Sequence, residues 1–122
     1  MPGSRFLSGS DAMIILTHRL RLQSPQGERA IEIAIHQPEP DDRCWTCAYS
    51  IGWPDRTRKS QAYGLDALQA LVMALQKIGS EIYTSDHHRS GSLRAEGDER
   101  GYGFPVPQGL KDMVIGSDAD LV

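Results

Sequence analysis

Residues 44–53 alternate without a break, with Trp45, Cys47, Tyr49, Ile51 and Trp53 set against Cys44, Thr46, Ala48, Ser50 and Gly52. A period of two is the signature of a β-strand with one face on a core, and the large side chains belong to that face. Pro54-Asp55 follows and suits the central positions of a type I turn. Residues 59–63 then read as a short returning edge strand, with Arg56, Arg58 and Lys59 discouraging further pairing. Next, Asp66 and Gln69 form a capping box: the carboxylate accepts from the Gln69 amide while the Gln69 side chain reaches back. Beyond it, Leu68, Leu71, Val72, Leu75, Ile78 and Ile82 recur at helical spacing. They predict one apolar stripe against the sheet, with Gln69, Gln76 and Lys77 in water. Gly79 inside that pattern marks close packing or an early helix end.

Upstream, Ile14, Leu16, Leu20 and Leu22 alternate with Ile15, Thr17, Arg19 and Arg21, predicting a first strand with its core face on the former set. Ser24-Pro25-Gln26-Gly27 reverses the chain, since Pro presets one turn dihedral and Gly permits a positive φ. Ile31, Ile33 and Ile35 face the core from a second strand over 30–37. Pro38 and Pro40 each lack an amide hydrogen, so residues 37–42 are expected to form a loop. After Thr84 the patterning weakens: residues 85–100 read as a surface loop with a short strand near Leu93. Residues 110–115 suit a helical turn or a last strand. The expected fold is α+β, a three- or four-stranded antiparallel sheet with one long helix packed on one face. The expected organisation is a flexible leader over 1–12, a single domain over 13–107 and a C-terminal tail over 108–122.

A chain of 122 residues supports one hydrophobic core. Its 39% hydrophobic and 24% charged residues have the balance of a globular protein. Thirteen basic against sixteen acidic side chains leave a net charge of −3, which supplies no general field for nucleic acid or anionic lipid. The longest apolar run, residues 70–75, is far too short for a membrane span, and no secretory apolar region opens the sequence. A cytoplasmic location is expected, with both cysteines as reduced thiols.

Three constellations carry conceivable chemistry. Cys44-Trp45-Thr46-Cys47 matches C-x-x-C, the pattern of redox pairs and zinc half-sites. Residues three apart in a strand point to opposite faces, however, so the thiols would not meet. Asp86-His87-His88 could supply metal ligands with His18, His36 or a cysteine, although adjacent histidines in a polar loop are ordinarily solvated. His18, among the apolar positions of strand one, reads as a core histidine bonded to backbone or a Tyr. Finally, Arg56, Arg58 and Lys59, with Arg19 and Arg21 on the polar sheet face, make a local basic surface. The acidic total argues against nucleic acid, and a solvated edge is the plainer reading. No Gly-rich phosphate loop, G-x-S-x-G or H-E-x-x-H is present.

The string Trp45-x-Cys47-x-Tyr49-x-Ile51-x-Trp53-Pro54, followed by Gly64-x-Asp66-Ala67-x-Gln69-Ala70-Leu71 and Gly103-Phe104-Pro105, resembles a family of small uncharacterised bacterial proteins, a domain of unknown function. The resemblance implies an antiparallel sheet with one packed helix and brings no activity, ligand or catalytic residue. With no catalytic set assembled, the expectation is a non-enzymatic interaction or regulatory module without a cofactor. It would form a homodimer or bind a protein partner, as small bacterial immunity or accessory proteins do. The alternative is a metal-dependent or thiol-based enzyme using Cys44, Cys47, His87 or His88. A third reading places a small ligand between the helix and Tyr102, Gly103 and Phe104.

Overall fold

The computed structural model describes residues 12–95 and 101–106. The expected leader and the 110–115 element lie outside these residues, Ala12 apart. In chain order the elements are β1 (Ile14–Ser24), β2 (Gly27–His36), β3 (Glu39–Asp41), β4 (Cys44–Gly52), β5 (Thr57–Gly64), α1 (Ala67–Tyr83), α2 (Asp86–Arg89) and β6 (Leu93–Ala95). The strands form one sheet in which β4 is paired by β2, β3 and β5, while β1 lies between β2 and β6. The fold is α+β with one long helix, but the sheet has six strands rather than three or four.

Both additional strands have local causes. Pairing of β2 with β4 sets Ile35 opposite Tyr49, and pairing of β3 sets Glu39 opposite Thr46. Four residues are therefore spent on one side where β4 spends three. A bulge at Gln37-Pro38 absorbs the extra residue and leaves the Pro nitrogen out of the ladder. Pairing then resumes in the stretch expected to be a loop, and Asp42, at φ 51°, turns the chain into β4. The stretch over 85–100, expected to be a loop with a short strand near Leu93, holds that strand as β6 and also the unexpected turn α2. Leu93 and Ala95 are buried on β6, opposite Leu22 and Leu20 of β1. The return strand is longer than expected, with β5 pairing along β4 from Thr57 to Gly64.

The chain divides into two compact units. Unit one comprises Met1–His18 and Ile33–Ala74, and unit two comprises Arg19–Glu32 and Leu75–Val122. In unit one the expected alternation holds at Ile33, Ile35, Cys47, Tyr49 and Ile51, each at most 1% exposed. Trp45 and Trp53 are half-buried rather than core. The capping box forms with a shift: Asp66 Oδ1 accepts from the Gln69 amide at 2.7 Å, and Gln69 Oε1 accepts from the Leu65 amide at 2.6 Å. Gly64 has no room for a side chain, since a Cβ there would lie 2.3 Å from the Ala70 nitrogen.

That close approach corrects the helix stripe. The buried positions in the first half of α1 are the small residues Ala70 and Ala74, while Leu68 and Val72 are exposed. A backbone this close to the first turn admits alanine and rejects leucine, so the larger aliphatics turn outward. In unit two the stripe is as expected at Ile78 and Ile82, both fully buried, each contributing about 1.5–3 kcal/mol before entropy. Gly79 is a close-packing glycine: a Cβ would lie 2.0 Å from the Pro105 carbonyl oxygen. The turn between β1 and β2 is as expected, with Gly27 at φ 117° and the Ser24 hydroxyl donating to the Gly27 carbonyl at 2.7 Å.

Candidate functional site

The surface of unit one is apolar at two places. The first is the start of β1, where Met13, Ile14, Ile15 and Leu16 are 69%, 50%, 47% and 54% exposed. Consecutive strand residues point to alternate faces, so this segment presents exposed apolar side chains on both. Ile14 and Leu16 had been expected on the core face. Instead the buried residues of β1 begin at Leu20, because alternation marks an apolar face without showing whether it is covered. Among the described residues, β6 pairs with β1 only at Leu20, Arg21 and Leu22, so the side of β1 away from β2 has no strand partner over residues 14–17. The second place is the entry to α1, where Tyr63, Leu65, Leu68, Val72 and Met73 are exposed, Leu65 by 81%.

The residues singled out for chemistry are differently placed. Cys44 and Cys47 are both free thiols on β4. Three residues apart on a strand, they point to opposite faces. Cys47 is fully buried, donates to the His36 carbonyl at 3.3 Å, and has its pKa pushed up to about 11 by burial. A thiol so buried and so weakly acidic is a packing group. His36 is half-buried, with Nδ1 2.9 Å from the Ala12 carbonyl, which assigns the proton to Nδ1. His18 is half-buried as well. Among the described residues no group of three or more His, Cys, Asp or Glu is gathered closely enough to hold a metal ion.

His87 and His88 lie on α2 rather than in a loop, and their surroundings differ from the solvated ones expected. Ser85 caps this turn, its hydroxyl accepting from the His88 amide at 3.2 Å. His88 Nδ1 lies 2.6 Å from the Tyr102 hydroxyl, and its ring meets Tyr83 edge-on with centroids 4.8 Å apart. Tyr83 and Tyr102 are themselves 5.0 Å apart, so the three rings form one cluster. Burial lowers the His88 pKa from its ordinary 6.5, favouring the neutral ring, and the Tyr102 hydroxyl it bonds also donates to the Leu93 carbonyl at 3.5 Å. The cluster joins α2 to the 101–106 segment inside unit two. Sequence reading missed it because its members are distant along the chain. The aromatic segment around Tyr102 was the available signal. At Gly79 the helix and the Pro105 backbone are in close contact.

Of the basic residues, Arg19 is ion-paired with Glu32 at 3.6 Å and Arg21 is ion-paired with Glu28. Arg56, Arg58 and Lys59 are exposed at β5 and the turn before it. Among the described residues no helix is long and apolar enough to cross a membrane.

A family model described as Domain of unknown function (DUF6968) matches residues 16–106, and the chain belongs to that family. No curated protein and no solved structure matches it.

Proposed function

We propose that this member of the family is a non-enzymatic interaction module that pairs with a second copy of itself along residues 14–17 of β1. The observation that carries the reading is the exposed run Ile14-Ile15-Leu16 on a strand edge that the described residues leave unpaired. Edges of this kind are ordinarily blunted by charge or proline, and none stands between Met13 and His18. An antiparallel pair made by two copies of one strand is self-complementary by symmetry. Centred near Leu16, it sets aliphatic against aliphatic or threonine and brings no like charges into opposition. Main-chain hydrogen bonds give such an added strand its affinity, and the side chains on both faces give it an apolar covering. A cytoplasmic setting accords with the two free thiols.

Sedimentation equilibrium across a dilution series tests the proposal. The native chain should reach twice the monomer mass as concentration rises. Ile15→Lys should shift that association to far higher concentration, whereas Leu68→Lys, at the other apolar place, should leave it unchanged. A native chain that stays monomeric throughout, or a dimer indifferent to Ile15→Lys, would overturn it.

A further inference from the structure

Ala12 and Leu20 are buried, at 8% and 0% exposure, but no side chain between them, from Met13 to Arg19, is buried. Packing therefore does little to hold the run Ile14-Ile15-Leu16 in place. An exposed strand end of this kind frays unless its backbone is tied down. Two ties stand at its start. The Gln37 amide donates to the Met13 carbonyl at 2.7 Å, and His36 Nδ1 donates to the Ala12 carbonyl at 2.9 Å. His36 is anchored in turn, since its own carbonyl accepts from the buried Cys47 thiol at 3.3 Å. Cys47 on β4, His36 at the end of β2 and Ala12 thus form one chain of contacts, running from the core of unit one to the residue just before Met13.

We infer that His36 is a positioning residue for the pairing of two copies along β1. Its side chain holds the start of the strand extended beside β2, so that the edge is formed before the second copy arrives. The inference rests on the self-pairing proposed above. An edge already in place gives up less conformational freedom when a strand is added to it, which is how a rigid binding surface gains affinity. A chain whose edge is ordered only part of the time binds more weakly in proportion to that fraction. In a pair of identical copies the fraction enters twice, once for each strand. A hydrogen bond of ordinary net strength shifts a local equilibrium roughly 2- to 12-fold, so its loss from both copies should weaken the pair about tenfold or more. The position of the donor on the ring matters as well. Nδ1 occupies the place that the side-chain nitrogen of asparagine would take, so asparagine can supply the same hydrogen bond without the ring.

Sedimentation equilibrium of the native chain, H36L and H36N over one dilution series tests this role. H36L removes the donor, and its dissociation constant should rise about tenfold or more. H36V, a second donor-free variant with strong strand propensity, should match it. H36N should associate much as the native chain does. Amide exchange at Gln37, read at concentrations where every variant is monomeric, supplies a local readout, because that amide is bonded to Met13. It should quicken in H36L and H36V and not in H36N. A native dimer that both donor-free variants leave intact, an H36N pair as weak as theirs, or Gln37 exchange unchanged by loss of the donor would each overturn the role of His36 while the self-pairing stands. A native chain that stays monomeric throughout overturns the self-pairing and this role with it. Unchanged circular dichroism of the variants separates loss of positioning from loss of fold.

Discussion

The two units have opposite surfaces. All the large hydrophobic side chains exposed among the described residues, from Met13 to Leu16 and from Tyr63 to Met73, belong to unit one. Unit two shows none, and carries instead the ion pairs Arg19–Glu32, Arg21–Glu28 and Arg89–Asp86 together with the closed ring cluster of Tyr83, His88 and Tyr102. Helix α1 contributes to both and makes the difference concrete: Leu68 is 70% exposed, whereas Ile82, at the same apparent phase of the pattern, is fully buried. An amphipathic period therefore says that a face is apolar and not what covers it. Unit one leaves apolar side chains exposed, whereas unit two covers its own and presents charge.

The hardest blow to this contrast is expected at its buried end. Ile82→Ala should destabilise the chain by about 2–5 kcal/mol in urea unfolding, since it removes three buried carbons and leaves a cavity. A loss below about 1 kcal/mol would mean that unit two is not packed as described.

A smaller effect follows from His88, whose pKa burial lowers from 6.5. Because the unfolded ring takes up a proton at higher pH than the folded one, stability is fully present above about pH 6.5 and declines as pH falls through that value toward the folded pKa. Denaturant midpoints measured from pH 7.5 down to roughly pH 5 should show this decline, and His88→Phe should flatten that part of the profile. An identical profile in the variant would assign the decline to other groups and unit two would lose its pH-sensitive joint. The smallest effect belongs to unit one: Leu68→Ser should change stability by less than about 0.5 kcal/mol, because the side chain is already in water. A larger loss would show that the apolar surface is covered.

Much of this was legible in the sequence. The alternation of Ile31, Ile33 and Ile35 and of Cys47, Tyr49 and Ile51 located the core strands, and Asp66 with Gln69 located the helix start to the residue. These signals are local and agree with one another. What sequence could not give depends on neighbours distant in the chain. Ile14 and Leu16 alternate like core residues whether or not anything lies over them. Leu68 loses its place to Ala70 only because Gly64 brings the backbone so near. His88 looked solvated until Tyr83 and Tyr102 were placed around it. Arg19 and Arg21 were legible on the polar face, whereas Arg94 joins that face only through the β1–β6 ladder.

The bulge between β2 and β3 has a consequence for how sequences in this family can differ in length. Its one surplus residue acts like a shift of reading frame that is repaired on the spot: odd-numbered residues up to Ile35 share the face of Tyr49, and afterwards Glu39 shares the face of Thr46 instead. A relative one residue shorter at Gln37-Pro38 keeps Ile35 opposite Tyr49 and Glu39 opposite Thr46, with an unbroken ladder between them. Such a deletion changes the bend of the strand and leaves every inward and outward side chain where it was, so it is a gap that natural variation can open or close without disturbing the core.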